Sequence, residues 1–576
     1  RCSSSRPETK PKTSANPDPM SQVLELAGRL RSLSDEELVR LLRLRGGTTK
    51  KLKDFFDLAE WLLQPRNLEV LVNSLSRSAL EFASGAGGDS TNPLLVFLKS
   101  HGLVKYSPPS RGFAQLAGAR MADDGIAGIH AFECLTAITE LIFELEHSEL
   151  SDTGKQGLAS SEAKRIAPLI GKEPDFVKSN FELARAAGLI TSVDSRWALT
   201  DRASWWLSAE PEERWSLLAK TWLELLGFIA ADELASQLSS GAGLAITLRD
   251  CFPLERFEPE SRLGHVITYS ELIGLSVNDE IASWAIPLVE GKLEKASKLI
   301  SGSLPKPQSK IIVQSDLSII APGPLTPKDE RELRVFVEME QAGLASRYRL
   351  SALSVSFGLE SGLTRAQLTS TLERLSAKPL PQPVEYLLAE SEKRFGRVRV
   401  IEDNRTGGCF VSATDEVLLT ELATEVRLKP YALVRQDRNL LASKMSRDRV
   451  YVGLRNIGHI AIRTDKDGKL LPPIRFVATA SVEAETGDWE QTVDRLREND
   501  RALSESSGDE AMLQQILLAI KLKSKIQVSY LGQDGSEVTL TLEPNGVANG
   551  RVRGRDRKAD IERTLPLANI TSVSFL

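Results

Sequence analysis

Cysteine is scarce in this chain: 576 residues hold four, Cys2, Cys134, Cys251 and Cys409, widely separated and without a CxxC pair. The five histidines do not cluster with them, which argues against a disulfide framework and against a zinc finger. This usage is expected of a protein kept in the reducing cytoplasm. Long apolar runs are missing too, so no stretch is expected to supply the roughly 20 residues of a membrane span. A phosphate-cradling GxxxxGK[ST] loop is absent; "RGGTTKKLKD" (45–54) is the nearest Gly-Lys string and its spacing is wrong. No acidic box follows a strand, since "SDEEL" and "GDEAM" read as helix starts. Neither a GxSxG elbow, an HExxH pair nor a strand-led GxGxxG occurs. The chain therefore reads as non-enzymatic, with no cofactor or metal. Strong charge of either sign is lacking as well. The net charge is −5, so contact with phosphate has to come from a local patch.

What is present is an ordinary globular balance, 41% hydrophobic and 26% charged, over a length that implies several domains. Residues 1–20 read as a disordered, Pro/Ser/Lys-rich tail, and the expectation is either that Met20 lies near the natural start or that 1–19 comes from an upstream extension. Residues 21–150 and 151–302 read as helical, winged-helix-like units. Ser34 and Glu37 form a capping box, and Asn92-Pro93 opens a helix that leads into an expected strand at 103–106. The pattern is clearer at 155–207. There a helix at about 160–170 stops at Gly171, a second starts at Pro174 and ends at Gly188, and two strands flank Asp194-Ser195. A weaker third copy lies at 245–300. Such units bind DNA through their second helix, or pack against protein. On the clearest one Glu182 sits between Lys178 and Arg185, which disfavours phosphate. Trp205-Trp206 is expected to be core.

The segment "IIVQSDLSIIAPGPL" (311–325) reads as a hairpin turning at Ser315-Asp316 with core isoleucines. "TPKDERELRVFVEME" is expected to be a helix burying Leu333, Phe336 and Val337. "SALSVSFGLE" reads as a helix ending near Gly358, and Thr364 and Gln367 cap the next one. These words, with "PLPQPVEYLLAESEKRFGRVRV", resemble the N-terminal domain of XPB-type helicases over 311–413. The wider layout is similar to actinobacterial proteins called helicase-associated. In the XPB family this domain is an appendage to the motor that contacts DNA or partner proteins. The resemblance therefore implies an α/β domain with DNA, a separate helicase or a repair or transcription protein as partner.

Residues 414–470 read as a basic α/β unit. Across 425–463 nine Lys or Arg face three Asp or Glu, an excess of six positive charges. The candidate nucleic-acid contacts are Arg427, Lys429, Arg435, Arg438, Lys444, Arg447, Arg449 and Arg455, with Tyr431 and Tyr451 interleaved for stacking. A solvated surface whose charges pair locally is the alternative. Residues 471–510 read as a linker with one helix. Residues 511–576 read as a small β-barrel after one helix, with a turn at Gln533–Gly535. This layout resembles a WYL domain, although Gly550–Gly554 stands where Trp-Tyr-Leu would sit. Alternation in "RVRGRDRK" places Arg551, Arg553 and Arg555 on one strand face, as a further anion surface or a charged edge strand. The expectation is a multi-domain, mainly α protein with α+β modules. Its function is expected to be non-catalytic nucleic-acid association, with a protein-interaction scaffold as the alternative and an ATP-dependent DNA helicase behind both.

Overall fold

A computed structural model describes residues 19–43, 52–108, 121–474 and 489–575. Within these spans it leaves out 149, 151, 153–156, 227–230, 240–242, 259–260, 404–405, 466, 506–507, 522–523, 533–535 and 549. The expected tail at 1–20 lies almost wholly outside the described residues, as does the turn at 533–535. The fold is mixed α/β, with helices dominating the first half and three sheets of four or five strands following.

Local capping explains where many helices begin. The Ser34 and Thr364 backbone N–H groups donate to Glu37 and Gln367, each at 2.8 Å, and the returning bonds to the hydroxyls close both boxes. Asn92 Oδ1 accepts from the Leu94 and Leu95 amides ahead of the Pro93–Ser100 helix. No strand follows it at 103–106, although Val104 is buried. The second helix pair, Ser160–Ile170 and Pro174–Ala186, leads into strands Ile190–Val193 and Arg196–Leu199. Asp194 and Ser195 turn between them at φ 49° and 62°, the left-handed pair a tight hairpin requires. Within 245–300 two helices, Leu244–Cys251 and Arg262–Leu272, again precede a hairpin, whose strands Ser276–Val277 and Glu280–Ile281 have two residues each.

One helix departs from the sequence expectation in kind. Asp124–His147 is 24 residues long and apolar enough to cross a membrane by length and composition. It lies instead in the largest core cluster, against Phe181, Trp206 and Trp215. Glu140, about two-thirds of the way along it, is buried and salt-bridged. Trp206 is in this core, but Trp205 is 42% exposed, so the tryptophan pair is split.

A second cluster joins Leu26, Leu30, Phe55 and Leu98 to Val493 and Leu496. The Trp489–Glu505 helix, which sequence places in a linker, thus completes the core of the first hundred residues. Arg31 pairs with Asp500 at 2.7 Å and Arg497 with Asp35 at 3.0 Å across the same contact.

The central sheet orders its strands Ile312–Val313, Ser318–Ala321, Ser346–Arg349 and Glu338–Gln341. The 311–325 hairpin forms as expected, with the Asp316 carboxylate accepting from the Ser318 amide. Ile311 and Ile319 are core, whereas Ile312 is 41% exposed. The helix expected to run to 340 stops at Arg334, and Glu338–Gln341 is an edge strand. Phe336 and Val337 are nevertheless buried, because the chain turns over them. The Ala352–Glu360 helix ends two residues past Gly358, close to the expected stop. A Cβ at Gly358 would lie 2.7 Å from the Phe336 Cβ, so the glycine serves close packing.

The next sheet orders Val434–Asp437, Leu440–Ser443, Gly408–Ala413, Val398–Asp403 and Ala461–Thr464, the last pair parallel. It crosses position 413/414, so that division falls inside one sheet. The C-terminal strands also form a five-stranded sheet, ordered Ile561–Pro566, Arg551–Asp556, Glu537–Ala548, Ile526–Leu531 and Ile570–Phe575. Its outermost strands do not pair with each other, so the expected barrel gives way to an open sheet backed by the Gly508–Lys521 helix.

Candidate nucleic-acid interface

The basic segment folds as a helix, a short 3-10 turn, a hairpin, a second helix and a strand. Glu416–Thr424 and Arg447–Asn456 cover the sheet with Leu419, Leu422, Val450 and Leu454, which leaves the charged positions outside. Apolar spacing of three and four drives this division.

The cations then separate into two groups. Arg427 pairs with Glu425 at 3.0 Å, and hydrogen bonds from Arg427 hold the Glu425 carboxyl below its ordinary range. Arg435 reaches Glu416 at 3.0 Å and Thr420 Oγ1 at 2.8 Å. Arg447 lies 3.1 Å from Glu402 and 3.3 Å from Asp448. Arg455 turns inward, donating to the Leu353 carbonyl at 3.0 Å and lying 3.5 Å from Glu360. Its guanidinium is thereby committed to packing. Lys429, Arg438, Lys444 and Arg449 are exposed and have no ion-pair partner among the described residues. The structure thus leaves four of the eight candidates in this segment with charge to offer.

A buried network seats the helix that carries Arg447 and Arg449. Tyr451 Oη donates to Glu360 at 2.6 Å, and Arg463 bonds Asp448 at 2.7 Å. Burial raises the Glu360 carboxyl above its ordinary range, against the pull of Tyr451 and two arginines. Burial also pushes Asp448 upward, but the hydrogen bonds from Arg463 and Arg447 outweigh it and hold the group low. Tyr451 is buried among these partners and is not a stacking platform; Tyr431 is half-buried, its ring against Gly453.

At the C-terminal sheet the expected alternation holds. Arg551, Arg553 and Arg555 are exposed, while Val552, Gly554 and Asp556 face inward. Their strand is interior, between Glu537–Ala548 and Ile561–Pro566, so these charges do not guard an edge. Arg555 pairs with Asp560 at 2.9 Å; Arg551 and Arg553 have no ion-pair partner among the described residues. On the earlier helix pair, Lys178 and Arg185 are held by Asp175 and Glu182 at 3.0 and 2.9 Å. That face is self-neutralised.

Sequence reasoning missed the acids that divide the patch. Glu402, Glu416 and Glu360 lie outside the 425–463 window, and only the tertiary fold brings them to Arg447, Arg435 and Arg455. The local signals were the i, i+2 spacing of Glu425 and Arg427 and the adjacent Arg447 and Asp448.

No curated protein matches the chain. Residues 311–437 match the family described as the helicase conserved C-terminal domain. The match begins at the central hairpin, ends with the exposed edge strand Val434–Asp437 and includes Arg427, Lys429 and Arg435. Through this stretch the protein is helicase-related, and a connection with nucleic acid is consistent with that kinship.

Proposed function

We propose that this chain is a non-catalytic, DNA-binding accessory protein of XPB-helicase kinship, working in the cytoplasm beside a separate motor. The observation that carries this reading is the group of four exposed cations, Lys429, Arg438, Lys444 and Arg449, without an ion-pair partner among the described residues, in and just beyond the helicase-type stretch. The resemblance of the last 66 residues to a WYL module supports it from the other end, with Arg551 and Arg553 as a second anion surface. The chain carries no phosphate-binding loop of its own, which fits an appendage rather than a motor.

The test is an anisotropy titration of the full chain against single- and double-stranded DNA at two salt concentrations. Four neutralised phosphates give a log–log salt slope of roughly −3 to −4, so affinity should fall on the order of a hundredfold from 50 to 200 mM salt. Reversing Lys429, Arg438, Lys444 and Arg449 to Glu should abolish binding while circular dichroism stays native. Absence of binding at low salt would overturn the proposal, and DNA-stimulated ATP hydrolysis by the pure chain would overturn its non-catalytic part. A protein scaffold is the second reading, favoured by Val417, Val426 and Val434, which are 80%, 67% and 58% exposed in the same region. It gains if the chain ignores DNA.

A further inference from the structure

The helical unit and the helicase-type unit meet along a charged seam. Arg334, at the end of the Pro327–Arg334 helix, grips Glu140 through three hydrogen bonds of 2.8 to 3.0 Å and lies 4.0 Å from the Phe143 ring centroid. Glu330, one turn earlier, accepts from Tyr348 Oη at 3.1 Å. Beside this clasp the seam encloses a cavity of about 70 Å³, room for several water-sized spheres. Its wall mixes apolar side chains, among them Phe132, Phe143 and Leu325, with the charged groups of Glu140, Glu330 and Arg214.

Arg214 lines that cavity, and its guanidinium is poorly provided for. Nη1 donates to Thr139 Oγ1 at 3.3 Å and Nη2 to the Leu207 carbonyl at 3.4 Å, both long. Nε is buried with no hydrogen-bond partner. The Thr139 hydroxyl is already engaged, donating to Leu135 O at 2.8 Å and accepting from Trp206 Nε1 at 2.9 Å. Burial lowers the Arg214 pKa to about 10, and the carboxylates of Glu330 and Glu210 only partly offset this. Arg331 also lines the cavity, is exposed, and has no ion-pair partner among the described residues.

The carboxylates of the wall are committed elsewhere. The cavity is lined by Arg214 and Arg331 and by Glu140 and Glu330, and Arg334 stands behind Glu140 and Glu330 in the clasp. Glu140 is taken up by Arg334, so it cannot serve Arg214. Glu210 stands in solvent at the start of the Pro211–Leu225 helix, where water screens it. A guanidinium with an unpartnered Nε, and with no carboxylate at ion-pair distance among the described residues, suits a compact oxyanion, because phosphate and carboxylate match its planar donors.

We propose that this seam cavity binds a small anionic ligand with a phosphate or carboxylate head, held by Arg214 within and Arg331 at the mouth. Occupancy would bridge the two units, whose apposed walls both contribute to the site. The proposal is independent of the DNA-binding reading.

The probes are inorganic phosphate and acetate, added to the full chain at constant ionic strength with chloride as control. Thermal unfolding and isothermal titration are the readouts. One or both oxyanions should raise the unfolding midpoint saturably, and the stronger of them identifies the head group. Arg214→Met should abolish saturable binding, and Arg331→Gln, at an exposed position that folding does not depend on, should weaken it several-fold. The four-fold Glu variant of the DNA surface should respond like the parent chain. Absence of a saturable response to either anion overturns the proposal. So does an affinity unchanged by Arg331→Gln, or a response lost in the DNA-surface variant.

Discussion

Glu360 shows how much a single buried carboxyl organises. Its side chain is fully enclosed, takes a hydrogen bond from Tyr451 and faces Arg455, and one of its oxygens is left without a partner. Burial raises its folded pKa above the ordinary 4.5, so the folded state holds the proton more tightly than the unfolded chain does. Stability from this group is complete below pH 4.5 and is lost as pH rises through the raised folded value. Glu360→Gln does not titrate, so the variant should gain stability relative to the parent chain as pH rises across that window. Urea unfolding at a series of pH values checks this; a constant difference would show that Glu360 does not titrate differently on folding. Residues of this kind were illegible in the sequence. Glu360 and Tyr451 are 91 positions apart, and no local pattern connects them. Caps such as Ser34–Glu37 and Thr364–Gln367 were legible, because both partners lie within one turn.

At the scale of elements, legibility followed the range of the interaction that decides each one. The Pro174 start, the Gly171 and Gly188 stops and the Asp194-Ser195 turn were readable because proline and positive φ act locally. The Glu338–Gln341 strand was not. Its residues continue a helical spacing, and only pairing with Ser346–Arg349 makes it extended. Gly358 lies two residues before the helix end expected near it, but its contact with Phe336 across the packing was not readable. The Trp489–Glu505 helix is the largest case. Leu496 and Val493 are buried against residues more than 380 positions earlier. Leu496→Ala should destabilise the protein by about 2–5 kcal/mol. Hydrogen exchange should place the loss in the first hundred residues as well as around the substitution. Protection unchanged in the 23–104 helices would mean the contact carries no stability.

At the scale of the molecule, the seam between the helical and helicase-type units rests on the Arg334–Glu140 pair, whose side chains are 10% and 2% exposed. Arg334→Met alone leaves Glu140 buried without its partner and should cost about 3–5 kcal/mol. Adding Glu140→Leu should recover most of that loss, because two apolar groups leave no charge stranded. Urea titrations of both variants check this, and equal losses in the single and double variants would contradict it. The helicase-related character of the centre was legible because its words run consecutively from residue 311, where the matching stretch 311–437 also begins. The electrostatic character of the basic segment was only half legible, because composition counts charges without their partners.

The return of residues 489–505 to the core begun by residues 23–104 has a consequence in time. A ribosome adds roughly 5–20 residues per second, so some 380 intervening residues take roughly 20 to 80 s to emerge. Throughout that interval the nascent amino-terminal helices present Leu26, Leu30 and Phe55 without Leu496 to cover them. The finished protein is insulated from this hazard; its half-made chain, and any message cut short before the codon for Trp489, is not.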